Sequence, residues 1–164
     1  MARSKIKHFK GFSIVDGDIR VTLNMNRFER QFQWAQYQLD GAVMNSMVPF
    51  MPMVTGSFIN ATRAASAAVQ GTGEVYAAYG PQGRFLYEGK TMVDEKTGST
   101  WARRGAKKVL VSEFGGKTNA KPDLTYTRQA HPKAQSHWFD VAKKADGKKW
   151  IRDVKRTAGG GQRG

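Results

Sequence analysis

The sequence predicts a mixed α+β protein in which two long helices pack on one face of an antiparallel sheet. Three observations lead there. An alternating apolar segment follows an Asp-Gly pair near the N-terminus. An apolar stripe at helical spacing runs from Asn26 to about Met47. A second stripe starts near Trp138 and continues to about Arg156.

The elements follow in order. Residues 1–10 are basic and aperiodic, the pattern of a flexible arm. Phe12 to Leu23 forms a hairpin: Asp16-Gly17 suits a two-residue turn, and Ile19, Val21 and Leu23 alternate with Arg20 and Thr22. Asn26 and Glu29 have the spacing of a capping box at the start of the first long helix. Phe28, Phe32, Ala35, Leu39, Ala42 and Val43 make its apolar stripe, expected to pack on the sheet. Pro49 ends it near Met47. Thr55-Gly56-Ser57 caps a short helical turn. Ala61 to Val69 and Glu74 to Ala78 read as strands around the Gly71-Thr72-Gly73 turn.

Gln82 to Glu88 reads as a short helix closed by Gly89. Residues 94–106 form a long exposed loop holding Trp101, Arg103 and Arg104. Val109 to Val111 and Leu124 to Thr127 are short strands, with a flexible connection from Gly115 to Pro122. The last helix spans Ser136 to Arg156, with Ser136 as N-cap and Asp140 near the positive end of its dipole. Gly147 weakens its middle by about 1 kcal/mol relative to alanine. One domain over 11–156 is expected, followed by a disordered Gly-rich tail at 157–164.

Composition narrows the chemistry. The 164 residues include no cysteine, which removes disulfides, thiolate zinc sites and a cysteine nucleophile. The most apolar stretch, Ala42 to Ala61, is broken by Pro49 and Pro52, so no membrane-spanning helix is expected. The N-terminus lacks the apolar run of a signal peptide. The net charge is +14, and most of the excess lies in residues 101–164. Such a balance suits an acidic partner (nucleic acid, an anionic protein surface or a membrane) or a solubilising surface.

His131-Pro132-Lys133-Ala134-Gln135-Ser136-His137-Trp138-Phe139 is the segment that most resembles a site. Its histidines straddle a proline and do not share a helix face as a His-x-x-x-His pair does. Ser136 beside His137 in sequence is not a nucleophile–base pair, which is a spatial relation. Neither catalytic nor metal-binding residues are expected, and no cofactor. Trp138, Phe139, Ala142, Trp150 and Val154 instead form the stripe of a helix seated on a core. Lys143, Lys144, Lys148, Lys149, Arg152 and Lys155 line the other side, where they suit phosphates or an acidic neighbour. Met44, Met47, Met51 and Met53 cluster near the end of the first helix. They read as core filling or, for Met47, Met51 and Met53, as an adaptable subunit interface.

Three segments together resemble a known group. They are Met47-Val48-Pro49-Phe50 followed by Thr55-Gly56; Arg84-Phe85-Leu86-Tyr87-Glu88-Gly89-Lys90-Thr91-Met92-Val93-Asp94; and His131-Pro132-Lys133-Ala134 with His137-Trp138-Phe139 and Ala142-Lys143. In order and spacing, over roughly residues 27–156, the chain resembles the minor capsid proteins of tailed phages and prophages of Gram-positive bacteria. That group is similar to the neck and tail-completion proteins of long-tailed phages. The chain departs from the pattern at Met53, where relatives often carry an acidic residue, and at Gly80-Pro81-Gln82-Gly83.

The resemblance implies a non-enzymatic α+β virion subunit that forms a ring, six-fold, in the head–tail connector or tail-completion region. The ring would be assembled in the host cytoplasm. Its partners would be copies of itself, neighbouring neck, connector or tail proteins, and double-stranded DNA passing through the lumen. Trp101, Arg103 and Arg104 on the long loop, with the basic N-terminal arm, would be joints to neighbouring rings. A stand-alone, non-specific DNA-binding protein is the alternative reading of the charge.

Overall fold

The computed structural model describes residues 12–16 and 19–159. The expected arm at 1–10, the turn residue Gly17 and the end of the Gly-rich tail lie outside the described residues. The elements are β1 (Phe12–Asp16), β2 (Ile19–Leu23), α1 (Asn26–Met47), α2 (Ser57–Ala68), α3 (Gly83–Glu88), β3 (Met92–Asp94), β4 (Lys108–Leu110) and α4 (Trp138–Ala158). Single 3-10 turns occupy Val48–Phe50 and Val111–Glu113. A mixed α+β composition is therefore present.

The sheet differs from expectation. Among the described residues there are two separate two-stranded antiparallel ladders, β1–β2 and β3–β4. Leu124 to Thr127 forms no strand; the nearby pairing is one bridge, Lys90 to Asp123. Residues 61–69 and 74–78 form no strands either. Five of the eight residues from Ala61 to Ala68 are alanine, the strongest helix former, and they belong to α2. Thr62, the β-branched residue in that run, turns its hydroxyl back to the Phe58 carbonyl at 2.9 Å. Ile59, Thr62 and Ser66 are buried at helical spacing, a period of 3.6 that a strand reading overlooks.

The described chain divides into two compact units. The first contains the β1–β2 hairpin, α1 to Ser46, Arg63 to Tyr76 and α4 from Ala142. Its two long helices run antiparallel. Trp150 Nε1 donates to Ser46 Oγ at 3.3 Å, and Thr157 Oγ1 donates to Gln38 Oε1 at 3.1 Å. Ala35, Leu39 and Ala42 of the α1 stripe line a small cavity against Trp150 and Val154. The stripe therefore faces α4 and not a sheet, and Phe28 at its start is exposed.

The described β1–β2 side chains are exposed too, so this hairpin is not the layer beneath two helices. The expected capping box is also replaced. Asn24 Oδ1 accepts the Asn26 amide at 2.9 Å, and Glu29 Oε1 accepts from Gln33 Nε2 at 2.8 Å. In the same unit, Arg63 donates to Asn45, and Gln70 donates to the Tyr37 carbonyl. These bonds run the end of α2 back along α1.

The second unit contains Met47 to Thr62 and Ala77 to Val141. Its centre is Trp138, which has 0% exposure. The indole is packed edge-on by Tyr87, with centroids 4.9 Å apart, and by Phe58 at 6.0 Å. Its Nε1–H donates to the Ala77 carbonyl at 2.7 Å. Helix α3 occupies the expected place, and Gly89 closes it in the left-handed conformation at φ 72°. A Cβ at Gly89 would press on Ser136 and the Tyr126 hydroxyl, both at 3.1 Å. The Tyr126 hydroxyl donates to the Leu86 carbonyl, and burial raises its pKa above the ordinary phenol value.

The start of α4 departs from expectation at one residue. His137, not Ser136, holds the N-cap position: its carbonyl accepts the Asp140 and Val141 amides, and its φ is 51°. The His137 amide donates to the Tyr87 carbonyl at 2.8 Å, and the two rings lie 5.2 Å apart. At the other end α4 continues to Ala158, past the expected tail boundary, with Thr157 buried.

Candidate interaction surfaces

The histidine segment is structural in every described contact. His131 Nδ1 bonds the Met51 carbonyl at 2.8 Å, and the Gln135 amide donates to the Phe50 carbonyl at 3.0 Å. These two bonds hold residues 131–135 against the turn after α1, and Ala134 is fully buried there. Among the described residues no three His, Asp or Glu side chains gather where a metal ion could be held. None of the described helices is long and apolar enough to cross a membrane.

Two methionine expectations change. Met47 and Met51 have 0% exposure, so neither presents surface to a partner. They are core fillers of the second unit, and Met53 keeps partial exposure.

Of the basic residues expected on the outer side of α4, Lys143 and Lys149 fall at the edges of its buried face. Lys143, Lys144, Lys148, Lys149, Arg152 and Lys155 are all exposed. Lys144, Lys148, Arg152 and Lys155 follow one helical line opposite Ala142, Trp150 and Thr157, which are buried. At 1.5 Å per residue, that line spans roughly 16 Å. Asp153 sits 3.9 Å from Arg152 and 3.4 Å from Arg156 and offsets part of the charge at that end. The arrangement can attract a linear anionic surface, but it reads no sequence, because lysine meets phosphate as a point charge.

The long loop is the second surface. β3 ends at Asp94, and residues 95–107 lead to β4 with Trp101 at 72% exposure. The loop is tied down at its start. The Asp94 carboxylate accepts the Thr97 amide at 2.9 Å, the Lys96 amide at 3.0 Å and the Thr97 hydroxyl at 3.1 Å. The Thr97 and Lys96 amide bonds are the main reason its pKa falls below the ordinary carboxylate value. Burial opposes them, while the Thr97 hydroxyl and the Lys96 charge add to them.

The loop is also closed across its base. Glu95 pairs with Lys107 at 3.0 Å, and the Glu95 amide donates to the Lys107 carbonyl at 3.1 Å. Next to Trp101, Ser99 Oγ accepts the Trp101 amide at 3.1 Å, and Lys108 Nζ donates to the Thr100 carbonyl at 2.8 Å. Arg103 and Arg104 are exposed beside it.

Sequence reasoning named Trp101, Arg103 and Arg104 but did not find the bonds from Asp94 to Thr97 and Lys96. The signal was present as an Asp followed three residues later by Thr-Gly, the composition of a side-chain-capped turn.

Compared with known proteins, the chain matches no family model, no curated protein and no solved structure at a significant level.

Proposed function

We propose that the protein is a structural subunit of a tailed-phage virion, a ring-forming neck, head–tail connector or tail-completion component, and not an enzyme. The observation that supports this most is where the resembling segments lie. Met47, Val93, Ala134 and Trp138 have 0% exposure, Ala142 is also buried, and Gly89 sits in a left-handed cap. Part of each segment that carries the likeness to minor capsid proteins is thus made of packing residues. The exposed features are cationic or aromatic and suit contact with other macromolecules.

In this reading the subunits close a six-fold ring within the virion. The cationic line of α4 meets DNA in the lumen or an acidic neighbouring ring. Deleting the gene from its phage and imaging the particles tests the proposal. Unjoined heads and tails, or heads that lose DNA, are expected; complete particles with joined tails would sink it.

The exposed lysines of α4 favour one second reading, a stand-alone protein that binds duplex DNA without sequence preference. Titrating purified protein with duplex DNA across salt separates the two. A monomer whose binding does not weaken with salt rules the second reading out.

A further inference from the structure

The loop between β3 and β4 leaves a large aromatic side chain in water while restraining the backbone around it. Trp101 is 72% exposed, yet the loop is bonded through Asp94 on one side and through Glu95–Lys107 and Lys108–Thr100 on the other. A collapsed loop would turn the indole inward, and this one holds it out. Trp101 shares an open cavity of about 750 Å³ with Lys96, Arg103 and Lys107 and with two carboxylates, Asp94, bonded to the Lys96 and Thr97 amides, and Glu95, paired with Lys107. Among the described residues no carboxylate pairs with Arg103 or Arg104, whereas Lys107 is occupied by Glu95.

The composition of the loop narrows the ligand. Between Glu95 and Lys107, Trp101 is the sole large apolar side chain, and Lys96, Arg103, Arg104 and Lys107 accompany it. Insertion into a lipid interface gains from several apolar groups at one depth, and this loop offers one. One flat ring flanked by cations matches a ligand that repeats a flat ring and an anion. Such a ligand is a nucleic-acid strand: the indole stacks on a base, and guanidinium or ammonium groups meet the phosphates on either side. A duplex hides the faces of its bases in its own stack, so the indole selects unpaired strands.

We propose that this loop binds single-stranded nucleic acid, with Trp101 stacked on an unpaired base and Arg103 and Lys96 on the flanking phosphates. The site is separate from the cationic line of α4, which meets phosphate without touching bases. It does not rest on the virion reading, because its test uses purified protein and not particles.

The experiment is a set of anisotropy titrations of the full chain at low salt. The probes are a short oligo(dT), an abasic strand of the same length and the oligo(dT) annealed to its complement. Trp101→Ala, Trp101→Phe and Trp34→Ala are compared with the unsubstituted protein. Trp34 is the control because it is also exposed, at 52%, and its ring stacks on Tyr37 at 5.5 Å.

Trp101→Ala is expected to weaken oligo(dT) binding by roughly 5- to 100-fold, the effect of losing one stacked base. Binding of the abasic strand and the duplex should stay unchanged. Trp101→Phe should restore most of the loss, and Trp34→Ala should have no effect. The proposal is overturned if Trp101→Ala leaves oligo(dT) affinity within about twofold. It is also overturned if affinity for oligo(dT) and the abasic strand falls equally. Trp101-dependent binding to phosphatidylserine vesicles without Trp101-dependent binding to oligo(dT) would assign the loop to a membrane surface and overturn it too.

Discussion

Asp40 Oδ2 accepts the Gly71 amide at 2.7 Å, joining the middle of α1 to the turn after α2 across 31 residues of sequence. The same oxygen accepts the Gly73 amide at 3.1 Å, and Oδ1 accepts Gln36 Nε2 at 2.7 Å. Asp40 is 4% exposed, so these groups satisfy a largely buried carboxylate. Gly71 sits at φ 89°, a conformation that glycine adopts without strain, and a Cβ there would contact Tyr37. Asp40→Ala removes one acceptor set and leaves the buried Gly71 amide without its partner. The expected loss is about 2–4 kcal/mol of unfolding free energy, as charge-assisted bonds require. Asp40→Asn should lose less, because it keeps one accepting oxygen. Urea denaturation measures both, and equal stability of Asp40→Ala and the parent would show that the turn is held by other contacts.

The indole of Trp138 combines full burial with a satisfied polar end. Trp138→Ala leaves a cavity between Tyr87 and Phe58 and is expected to cost about 3–5 kcal/mol. Trp138→Phe keeps most of the packing but orphans the Ala77 carbonyl, at a cost of about 1–2 kcal/mol. A similar loss in the two variants, read from the same denaturation curves, would mean that packing contributes little there.

Among the described residues, His137 is the non-glycine residue with positive φ, at 51°, and it starts α4. That conformation costs an ordinary residue about 1–2 kcal/mol, more when the side chain is branched at Cβ. His137→Val is therefore expected to destabilise by about that amount. His137→Gly removes the strain but also the ring contact with Tyr87, so it should be near neutral. Thermal melts of the pair test the balance; a Val variant as stable as the Gly variant would show that the backbone relaxes freely at this position.

Lys143, Lys144, Lys148 and Lys149 are exposed, so replacing all four with Gln should preserve the fold and its melting temperature. Loss of four cations from α4 should flatten the salt dependence of duplex binding by roughly three to four charges if all four meet phosphate. In the virion reading, the same replacement impairs DNA retention if the helix faces the lumen, or ring assembly if it faces an acidic neighbour. Unchanged particle yield, DNA content and infectivity would remove α4 from both roles.

The long helices, α3 with its Gly89 cap and the exposed Trp101 loop were legible because each rests on local chemistry: a 3.6-residue period, a left-handed terminator, a run of polar residues. The misassigned strands at 61–69 and 74–78 show where locality fails. Thr62 and Ser66 are polar in sequence, but their side chains are buried, with hydroxyls that accept the Tyr79 and Tyr76 amides from elsewhere in the chain. The partner of the α1 stripe was illegible for a similar reason. Periodicity says that Ala35, Leu39 and Ala42 are covered, but not that Trp150 and Val154 cover them. The tethering by Asp94 lay within reach of the sequence, since its acceptors and donors are at most three residues apart.

Asp94 also sets a pH dependence whose sign is fixed by its surroundings. Amides of Thr97 and Lys96 stabilise the ionised carboxylate in the folded loop, so its folded pKa lies below the unfolded one. The stabilisation is present in full above the unfolded value of about 4. It is lost as pH falls from there through the folded pKa, because the unfolded chain takes up the proton first. Asp94→Asn cannot ionise, so it should be less stable than the parent at neutral pH, and the gap should narrow on acidification. Backbone amide shifts of Thr97 and Lys96, followed through an acid titration, report the same group directly. Parent and Asn variant losing stability in parallel on acidification would show that other carboxylates govern the acid limb and that the loop is held without this charge.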